Sequence, residues 1–206
     1  MKSFFITGAA GFIGSHVCEH ILIKFPNAKI FALDKLTYAG NKIFLKKLFK
    51  SKKFKFIHSD ILDSKKYFKY LKNIDCAINI AAESHVDHSF KNSIEFTKTN
   101  TLGAHVFLEN CIRRKVNKII HISTDEVYGD KIKGFSYETD SLNPTNPYSA
   151  SKAAAEMITN SYKFVLKKDI IIVRANNIYG TRQFPEKLIP SCIVSLIKNK
   201  KIPIHG

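Results

Sequence analysis

A glycine-rich turn near the start of the chain limits the folds open to it more than any other feature. An apolar run, Ser3–Thr7, leads into the stretch GAAGFIG at Gly8–Gly14, and Ile13, Val17 and Ile21 then recur at helical spacing. Between a strand and a helix, such glycines permit a tight turn and let the backbone approach a pyrophosphate at the helix N-terminus. The stretch therefore predicts a dinucleotide-binding βα unit.

The rest of the chain alternates apolar, β-branched runs with stretches of helical periodicity. This alternation indicates right-handed crossovers and an α/β fold with a doubly wound parallel sheet of the Rossmann type. We expect residues 1–175 to form this domain and residues 176–206 to begin a smaller C-terminal substrate lobe. The further predicted strands are Lys29–Leu33, Phe54–Ile57, Cys76–Ile80, Lys118–Ile122 and Asp169–Val173, and the further predicted helices are Asn41–Lys55, Asp63–Leu71, Ile94–Ile112, Tyr148–Leu166 and Ser191–Asn199.

Charge and cysteine content narrow the class of protein. A formal net charge of +16 would suit a nucleic-acid binder. The lysines are spread along the whole chain, however, and around Asn41–Lys55 they alternate with apolar residues, as on the solvated face of an amphipathic helix. Nucleic-acid binding as the main function would require the lysines to gather on one face, so we do not expect it.

The four cysteines lie far apart and form no CxxC pair, which argues against both a metal site and a disulfide framework. The chain has no apolar run near the roughly 20 residues of a membrane span. The segment before Gly8 is too short for a signal peptide. We therefore expect a cytoplasmic protein that binds no membrane and no metal.

The residue that ends the second predicted strand bears on the choice of cofactor. Asp34 follows Gly14 by twenty positions. A carboxylate at that place accepts hydrogen bonds from the ribose hydroxyls and repels a 2′-phosphate, so NAD is expected rather than NADP. Lys35 follows at once and would weaken this discrimination. Asp60, after the third strand, either contacts the adenine or simply starts the next helix.

Acidic residues follow the fifth predicted strand, at the sheet edge where open α/β folds bind ligands. Asp125 and Glu126 are adjacent, with a hydroxyl beside them at Thr124, which indicates proton transfer on a bound substrate; alone, such acids would more often cap a turn. Tyr148 and Lys152 are four apart on a predicted helix and share one face. The lysine charge would stabilise a phenolate, so the tyrosine, with an ordinary pKa of about 10, could take an alcohol proton near neutrality.

Six stretches together resemble the nucleoside-diphosphate-glucose 4,6-dehydratases of the NAD-dependent epimerase/dehydratase family, in the extended short-chain dehydrogenase/reductase superfamily. The resemblance runs from Lys2 to Gly206 and implies a lyase of deoxysugar biosynthesis that converts dTDP-glucose to its 4-keto-6-deoxy form. The alternatives are the corresponding UDP-glucose enzyme and a related sugar-nucleotide epimerase. The stretches are Thr7–Gly14, Asp34–Asn41, Ala81–Ser89, Ser123–Gly129, Tyr148–Lys152 and Gln183–Pro190.

The resemblance also implies a role for each residue of the acidic stretch and of the tyrosine–lysine pair. Tyr148, aided by Lys152, takes the proton of the C4 hydroxyl, which Thr124 holds, while hydride passes to NAD. Glu126 removes the C5 proton, and Asp125 protonates the departing C6 hydroxyl. Because NAD is regenerated in each turnover, it is expected to stay bound. The implied cofactor contacts are Gly8, Gly11, Phe12, Ile13, Gly14, Asp34, Lys35, Leu36, Thr37, Asp60, Ile61, Ala81, Ala82, Thr99, Tyr148 and Lys152, and the implied sugar-nucleotide contacts are Ser84, Thr124, Asn177, Lys187 and Leu188.

Members of the family continue well beyond the position that matches Gly206. A rival of another class is therefore a truncated, catalytically silent NAD-binding protein that pairs with a partner through its helices. On the same ground we expect the 206-residue chain to bind NAD, to turn over sugar nucleotide poorly, and to expose an apolar surface around Phe184–Ile204 that promotes association. We also expect a homodimer formed through the helices at 94–112 and 148–166.

Overall fold

The sheet has the predicted parallel, doubly wound form. A computed structural model describes residues 1–202, in which six strands pair in the order β3-β2-β1-β4-β5-β6. Every neighbouring pair is parallel. This is the strand order of a Rossmann sheet, whose crossovers change direction between β1 and β4. The strands are β1 (Ser3–Thr7), β2 (Lys29–Asp34), β3 (Phe54–His58), β4 (Cys76–Asn79), β5 (Lys118–Thr124) and β6 (Asp169–Ala175).

Helices connect these strands and extend the chain past β6. They are α1 (Phe12–Lys24), α2 (Ser64–Tyr67), α3 (Val86–Lys91), α4 (Ser93–Phe96), α5 (Ala104–Arg113), α6 (Pro147–Leu166) and α7 (Leu188–Ile197). A π-helical segment, Thr97–Gly103, joins α4 to α5 without a break, and short 3-10 turns occupy Lys42–Leu45, Leu48–Lys50, Phe68–Leu71 and Asp125–Tyr128. The last residues of the predicted substrate lobe, 203–206, lie outside the described residues.

Alternate residues of β1 enter two separate apolar cores. Phe5 packs on one face of the sheet against Tyr67 of α2 and Phe107 of α5, with ring centroids 5.8 and 5.7 Å away. Phe4 and Ile6 enter the core on the other face, with the buried side of α1. Because both faces are covered, the central strands are apolar at nearly every position, as is usual in parallel sheets.

The amphipathic helix predicted around Asn41–Lys55 is wrong. Two 3-10 turns replace it, and β3 takes up the end of the stretch. Leu45 and Leu48, three residues apart, are buried, whereas Ile43 and Phe49 are exposed. A spacing of three places side chains in line on a 3-10 turn, so two buried leucines suffice to anchor the stretch without a longer helix.

The other predicted helices keep their places with changed details. The prediction at Asp63–Leu71 is divided into α2 and a 3-10 turn, and the one at Ile94–Ile112 contains the π-helical segment. The prediction at Tyr148–Leu166 is confirmed as α6, which starts at Pro147 because Asn146 and Ser149 form a reciprocal capping box before it. The predicted Ser191–Asn199 helix is α7, displaced by a few residues toward the N-terminus.

Among residues 1–202, no helix is both long and apolar enough to cross a bilayer. Cys18, Cys76, Cys111 and Cys192 are free thiols. The exposed apolar surface predicted near the end of the chain is confirmed on α7, where Leu188 is 73% exposed and Ile197 is 77% exposed.

Candidate active site

The predicted site residues converge on one cleft at the carboxyl edge of the sheet. The turn after β1, the ends of β2, β4 and β5, the start of α6 and the segment after β6 all border it. This is where an open α/β sheet binds its ligands. The predicted residues that line it are Gly8, Gly11, Phe12, Ile13, Gly14, Asp34, Lys35, Thr37, Asp60, Ile61, Ala81, Ala82, Ser84, Thr99, Thr124, Glu126, Tyr148, Lys152, Asn177 and Lys187.

Three predicted site residues are not part of this lining. Leu36 adopts a left-handed conformation with φ +57° and packs against the apolar core beside α1. Leu188 is the first residue of α7 and projects largely into solvent. Asp125 directs a carboxylate oxygen to the Thr124 hydroxyl, at 3.2 Å. The structure therefore gives Leu36 and Leu188 packing or surface positions, and it places Asp125 beside the cleft through Thr124.

The glycine turn leaves the backbone bare at the start of α1. Gly8 has φ +66°, and a Cβ there would collide with the backbone of Ala81. A Cβ at Gly14 would collide with the carbonyl of Gly8. Gly11 caps α1 with no side-chain hydrogen bond, and the residues of the first turn line the cleft. This chemistry fits the pyrophosphate of a dinucleotide.

Asp34 is held at the edge of the cleft by two backbone donors. The N–H groups of Ala10 and Leu36 donate to its two carboxylate oxygens at 2.8 and 2.7 Å. Burial raises the pKa of Asp34, and these hydrogen bonds oppose the rise. Each carboxylate oxygen can accept a second hydrogen bond, so the group retains capacity for ribose hydroxyls.

Lys35, predicted to weaken the preference for NAD, is paired with another acid. Its ammonium lies 2.8 Å from a carboxylate oxygen of Asp60. The other Asp60 oxygen accepts the N–H of Leu62 at 2.9 Å, and the residue also lines the cleft. Asp60 therefore holds the turn before α2, whose N-cap is Asp63, and it also borders the cleft, so that its contact with an adenine stays a prediction.

The acidic turn after β5 is capped by its threonine. The Thr124 hydroxyl accepts the N–H of Glu126 and donates to Asp125, each at 3.2 Å. The side-chain amide of Asn146 donates to Glu126 at 3.1 Å. Because Thr124 supplies the cap, the two carboxylates are not needed for it, which favours the chemical interpretation of the pair.

Tyr148 and Lys152 occupy one face of α6, as predicted, and both are buried. Lys152 donates to the backbone carbonyl of Ile122, and burial lowers its pKa to about 8, with Glu156 opposing. Burial, followed by the charge of Glu126, raises the pKa of Tyr148 to about 12. The predicted lowering of the tyrosine pKa by Lys152 is therefore wrong for this geometry, because the lysine ammonium donates its hydrogen bond to the Ile122 carbonyl instead.

Asn100, in the π-helical segment, was not predicted as a site residue. Its carbonyl oxygen accepts the N–H of Glu83 at 2.8 Å, and its amide donates to the Glu83 carbonyl and the Ser151 hydroxyl, both at 2.9 Å. It thus joins the loop after β4 to α6, next to Lys152. Its only signal in the sequence is a polar residue within an otherwise apolar helical face, and π-helical turns often occur at functional sites.

The segment after β6 packs back onto α1 and the loop after β4. Arg182 forms a forked ion pair with Glu19 of α1 at 2.8 Å, and Lys187 donates to the carbonyl of Ser84 at 2.7 Å. These contacts place the segment along one side of the cleft. Lys187 therefore lies at the mouth of the site, where its charge suits an anionic ligand.

A histidine pair lies at the same mouth, although no metal site is expected. Ligand atoms of His85, His88 and Glu186 all lie within 4.8 Å of one another. Other contacts account for each: the two imidazoles stack with centroids 4.3 Å apart, His85 caps α3 by accepting the N–H of His88, and Glu186 accepts the Tyr38 hydroxyl.

Comparison with known proteins agrees with this geometry. The family model described as GDP-mannose 4,6-dehydratase matches residues 5–206. The whole chain is 48% identical, over 219 residues, to half of the dTDP-D-glucose 4,6-dehydratase of Dictyostelium discoideum. It is 46% identical, over 211 residues, to 32% of an Arabidopsis thaliana protein described as a trifunctional UDP-glucose 4,6-dehydratase, UDP-4-keto-6-deoxy-D-glucose 3,5-epimerase and UDP-4-keto-L-rhamnose reductase.

A solved structure shares the fold closely. The dTDP-glucose 4,6-dehydratase of Streptomyces venezuelae, crystallised with NAD bound, superposes with a TM-score of 0.95 at 37% identity, over 99% of this chain and 65% of that one. The chain thus spans half or less of the two curated relatives, and under two thirds of this crystallised one. The resemblance drawn from the motifs is confirmed, and the chain belongs to the GDP-mannose 4,6-dehydratase family.

Proposed function

We propose that the protein is an NAD-dependent hydro-lyase that converts dTDP-glucose to the 4-keto-6-deoxy nucleotide. One observation carries the proposal: the acidic turn after β5 and the tyrosine–lysine pair of α6 border the same cleft as the glycine turn. The reaction requires oxidation at C4 and elimination across C5–C6 of one sugar ring. A proton acceptor for the hydroxyl and an acid–base pair must therefore act on one substrate, and the shared cleft supports this assignment.

The residues divide the proton transfers among them. The Thr124 side chain holds the C4 hydroxyl, and Tyr148 takes its proton. The hydrogen bond from Thr124 and the positive charge of bound NAD would lower the pKa of Tyr148, which burial raises. Glu126, oriented by Asn146, takes the C5 proton made acidic by the C4 ketone. Asp125 gives a proton to the departing C6 hydroxyl, and water leaves. The hydride taken from C4 would then return to C6 while Glu126 returns the proton to C5, which gives the 4-keto-6-deoxy sugar. Paired carboxyl groups can play these two roles, because their surroundings keep one protonated as the acid and the other ionised as the base.

The cofactor is proposed from the fit of the glycine turn and Asp34 to a dinucleotide, and relatives crystallised with NAD support it. When bound, NAD supplies a hydride acceptor and a cationic nicotinamide ring. The turn Gly8–Gly14 would hold the pyrophosphate, and Asp34 would accept the hydroxyls of a ribose. Sugar-nucleotide contacts are proposed at Ser84, Thr124, Asn177 and Lys187.

We also propose a division of labour along the chain. Residues 1–175 would bind NAD and carry the catalytic groups, and residues from 176 onward would contribute to the substrate site.

A homodimer through the helices at 94–112 and 148–166 is supported by exposed apolar side chains on them, including Ile94, 69% exposed, and Phe164, 75% exposed. Analytical ultracentrifugation of wild type and Phe164→Lys tests the dimer, which the lysine should weaken. The free thiols suit a cytoplasmic location.

The deciding experiment incubates the full-length protein with dTDP-glucose and UDP-glucose separately and follows a 4-keto product. We expect product from dTDP-glucose with wild type and none with Tyr148→Phe. Product from UDP-glucose alone would assign the UDP-glucose enzyme, and a C4-epimerised sugar without loss of water would assign an epimerase. Folded, NAD-loaded protein that forms no 4-keto product from either substrate would refute the proposal.

A further inference from the structure

Arg174 occupies a position that none of the proposed catalytic roles explains. It lies near the end of β6, paired in register with Ser123 of β5, and its side chain is mostly buried. Arginine offers five N–H donors in a rigid plane, so its partners must stand in fixed directions around it. This guanidinium donates to three partners, which lie on three separate parts of the chain.

The first partner is on the helix that carries the tyrosine–lysine pair. Nε and Nη2 of Arg174 donate to Glu156 in a fork, with distances of 2.9 and 2.8 Å to the same carboxylate oxygen. Glu156 is fully buried and lies one helical turn beyond Lys152. Since a buried carboxylate is costly without a partner, this fork fixes α6 against the end of β6.

The second partner is on the acidic turn. Nη1 of Arg174 donates to the Tyr128 hydroxyl at 2.7 Å, and the guanidinium also lies over the Tyr128 ring, 4.7 Å from its centroid. Tyr128 is the last residue of the 3-10 turn that contains Asp125 and Glu126. A third contact, from Nη1 to the carbonyl of Glu138 at 3.2 Å, holds the loop that leads to α6.

We propose that Arg174 is a positioning residue that sets the carboxylates of the acidic turn in register with Tyr148 and Lys152. It touches neither substrate nor cofactor in this assignment, which rests on the proposed function. We call Arg174 with its contacts to Glu156 and Tyr128 the clamp. It joins α6, which carries the groups for C4 oxidation, to the acidic turn, which carries the groups for elimination. A lysine at this position could not replace it, because one ammonium cannot meet partners in three directions.

The Tyr128 hydroxyl is the selective place to cut the clamp. Tyr128→Phe removes the hydrogen bond to the turn and leaves the Arg174–Glu156 fork intact. Tyr148 and Lys152 stay held by α6 and by the carbonyl of Ile122, so C4 oxidation should proceed normally. Elimination should slow by about tenfold, the size expected for losing one hydrogen bond to a charged group.

The experiment mixes full-length, NAD-loaded protein rapidly with dTDP-glucose and follows NADH absorbance. In Tyr128→Phe we expect NADH to appear at the wild-type rate and to disappear about tenfold more slowly. Arg174→Lys also loses the fork to Glu156 on α6, so it should slow both the appearance and the disappearance of NADH. The matched control is Tyr162→Phe. It removes a tyrosine hydroxyl elsewhere on α6, one that is hydrogen-bonded to His105 of α5, and it should leave both phases unchanged.

Hydrogen exchange provides a second readout that needs no turnover. Tyr128→Phe should speed exchange of the amides at Glu126 and Gly129, which are bonded within the turn, and spare those of α6. Three results in Tyr128→Phe would each overturn the positioning role of Arg174: unchanged exchange in the turn, NADH decay at the wild-type rate, or equal slowing of both NADH phases. Absence of 4-keto product from wild type would instead refute the proposed function, and hydrogen exchange would still decide the clamp.

Discussion

The buried ammonium of Lys152 makes a testable contribution to the pH dependence of stability. Burial lowers its pKa from the ordinary 10.5 to about 8 in the folded protein. At about 1.4 kcal/mol per unit, this difference corresponds to about 3 kcal/mol between the two protonation states. The perturbation is Lys152→Met, which keeps a side chain of similar length and removes the charge.

The sign follows from which state holds the proton. Below the folded pKa both states are protonated, and the folded protein bears the full cost of burying the ammonium. Between about pH 8 and pH 10.5 the folded protein has lost the proton while the unfolded chain keeps it, so stability rises with pH. Across this window the free energy of unfolding of the wild type should therefore rise by about 3 kcal/mol relative to that of Lys152→Met.

Urea denaturation of both proteins at a series of pH values measures this difference, and other titrating groups cancel because they are common to both. The matched control is Lys163→Met, which removes an exposed ammonium from the same helix and should show no such trend. A wild-type advantage that stays flat or falls between pH 8 and pH 10.5 would show that the Lys152 ammonium is not the costly buried charge described here.

Further predictions concern the cofactor turn and the two chemical steps. Asp34→Asn should weaken NAD binding by tenfold or more, as expected for losing hydrogen bonds to a charged group, and narrow the preference over NADP; calorimetry that finds wild type binding both cofactors equally would contradict this. Gly14→Ala should destabilise the fold by about 1–3 kcal/mol through overpacking, with Gly11→Ala, whose Cβ would meet only an ordinary van der Waals contact, as a comparison for thermal unfolding. Tyr148→Phe should reduce NADH formation with dTDP-glucose by about 10²-fold or more. Asp125→Asn and Glu126→Gln should still form NADH and slow its disappearance by about 10²-fold; a block before NADH forms in either would remove that residue from the elimination step.

Local patterns predicted the parts of the molecule that local chemistry determines. Apolar β-branched runs located all six strands, because a strand covered on both faces must be apolar throughout. The turn Gly8–Gly14 and Asp34 followed from the backbone geometry that a dinucleotide needs. Tyr148 and Lys152 followed from helical spacing alone, since residues four apart share a face.

The errors arose where partners distant in sequence decide the outcome. Spacing showed that Lys152 lies near Tyr148 but not that the carbonyl of Ile122, thirty positions earlier, takes its ammonium. The direction of the Tyr148 pKa depends on burial and on Glu126, neither of which a helical pattern reveals. Asn100 and Arg174 escaped notice for the same reason, because their partners lie on other elements of the fold.

The π-helical segment Thr97–Gly103 sets the direction of two aromatic anchors. Phe96 and Phe107 are eleven residues apart, about three turns of an ideal α-helix, and would point the same way from an unbroken one. Instead, Phe96 meets Tyr148 of α6, with ring centroids 6.3 Å apart, and Phe107 meets Phe5 beneath the sheet, at 5.7 Å. The wider turn absorbs one residue and so rotates one end of the helix by about 100° against the other. Deleting a single residue from this segment would turn the two rings to the same side, and one of them would lose its aromatic partner. This helix therefore tolerates a deletion less well than a loop of the same length would.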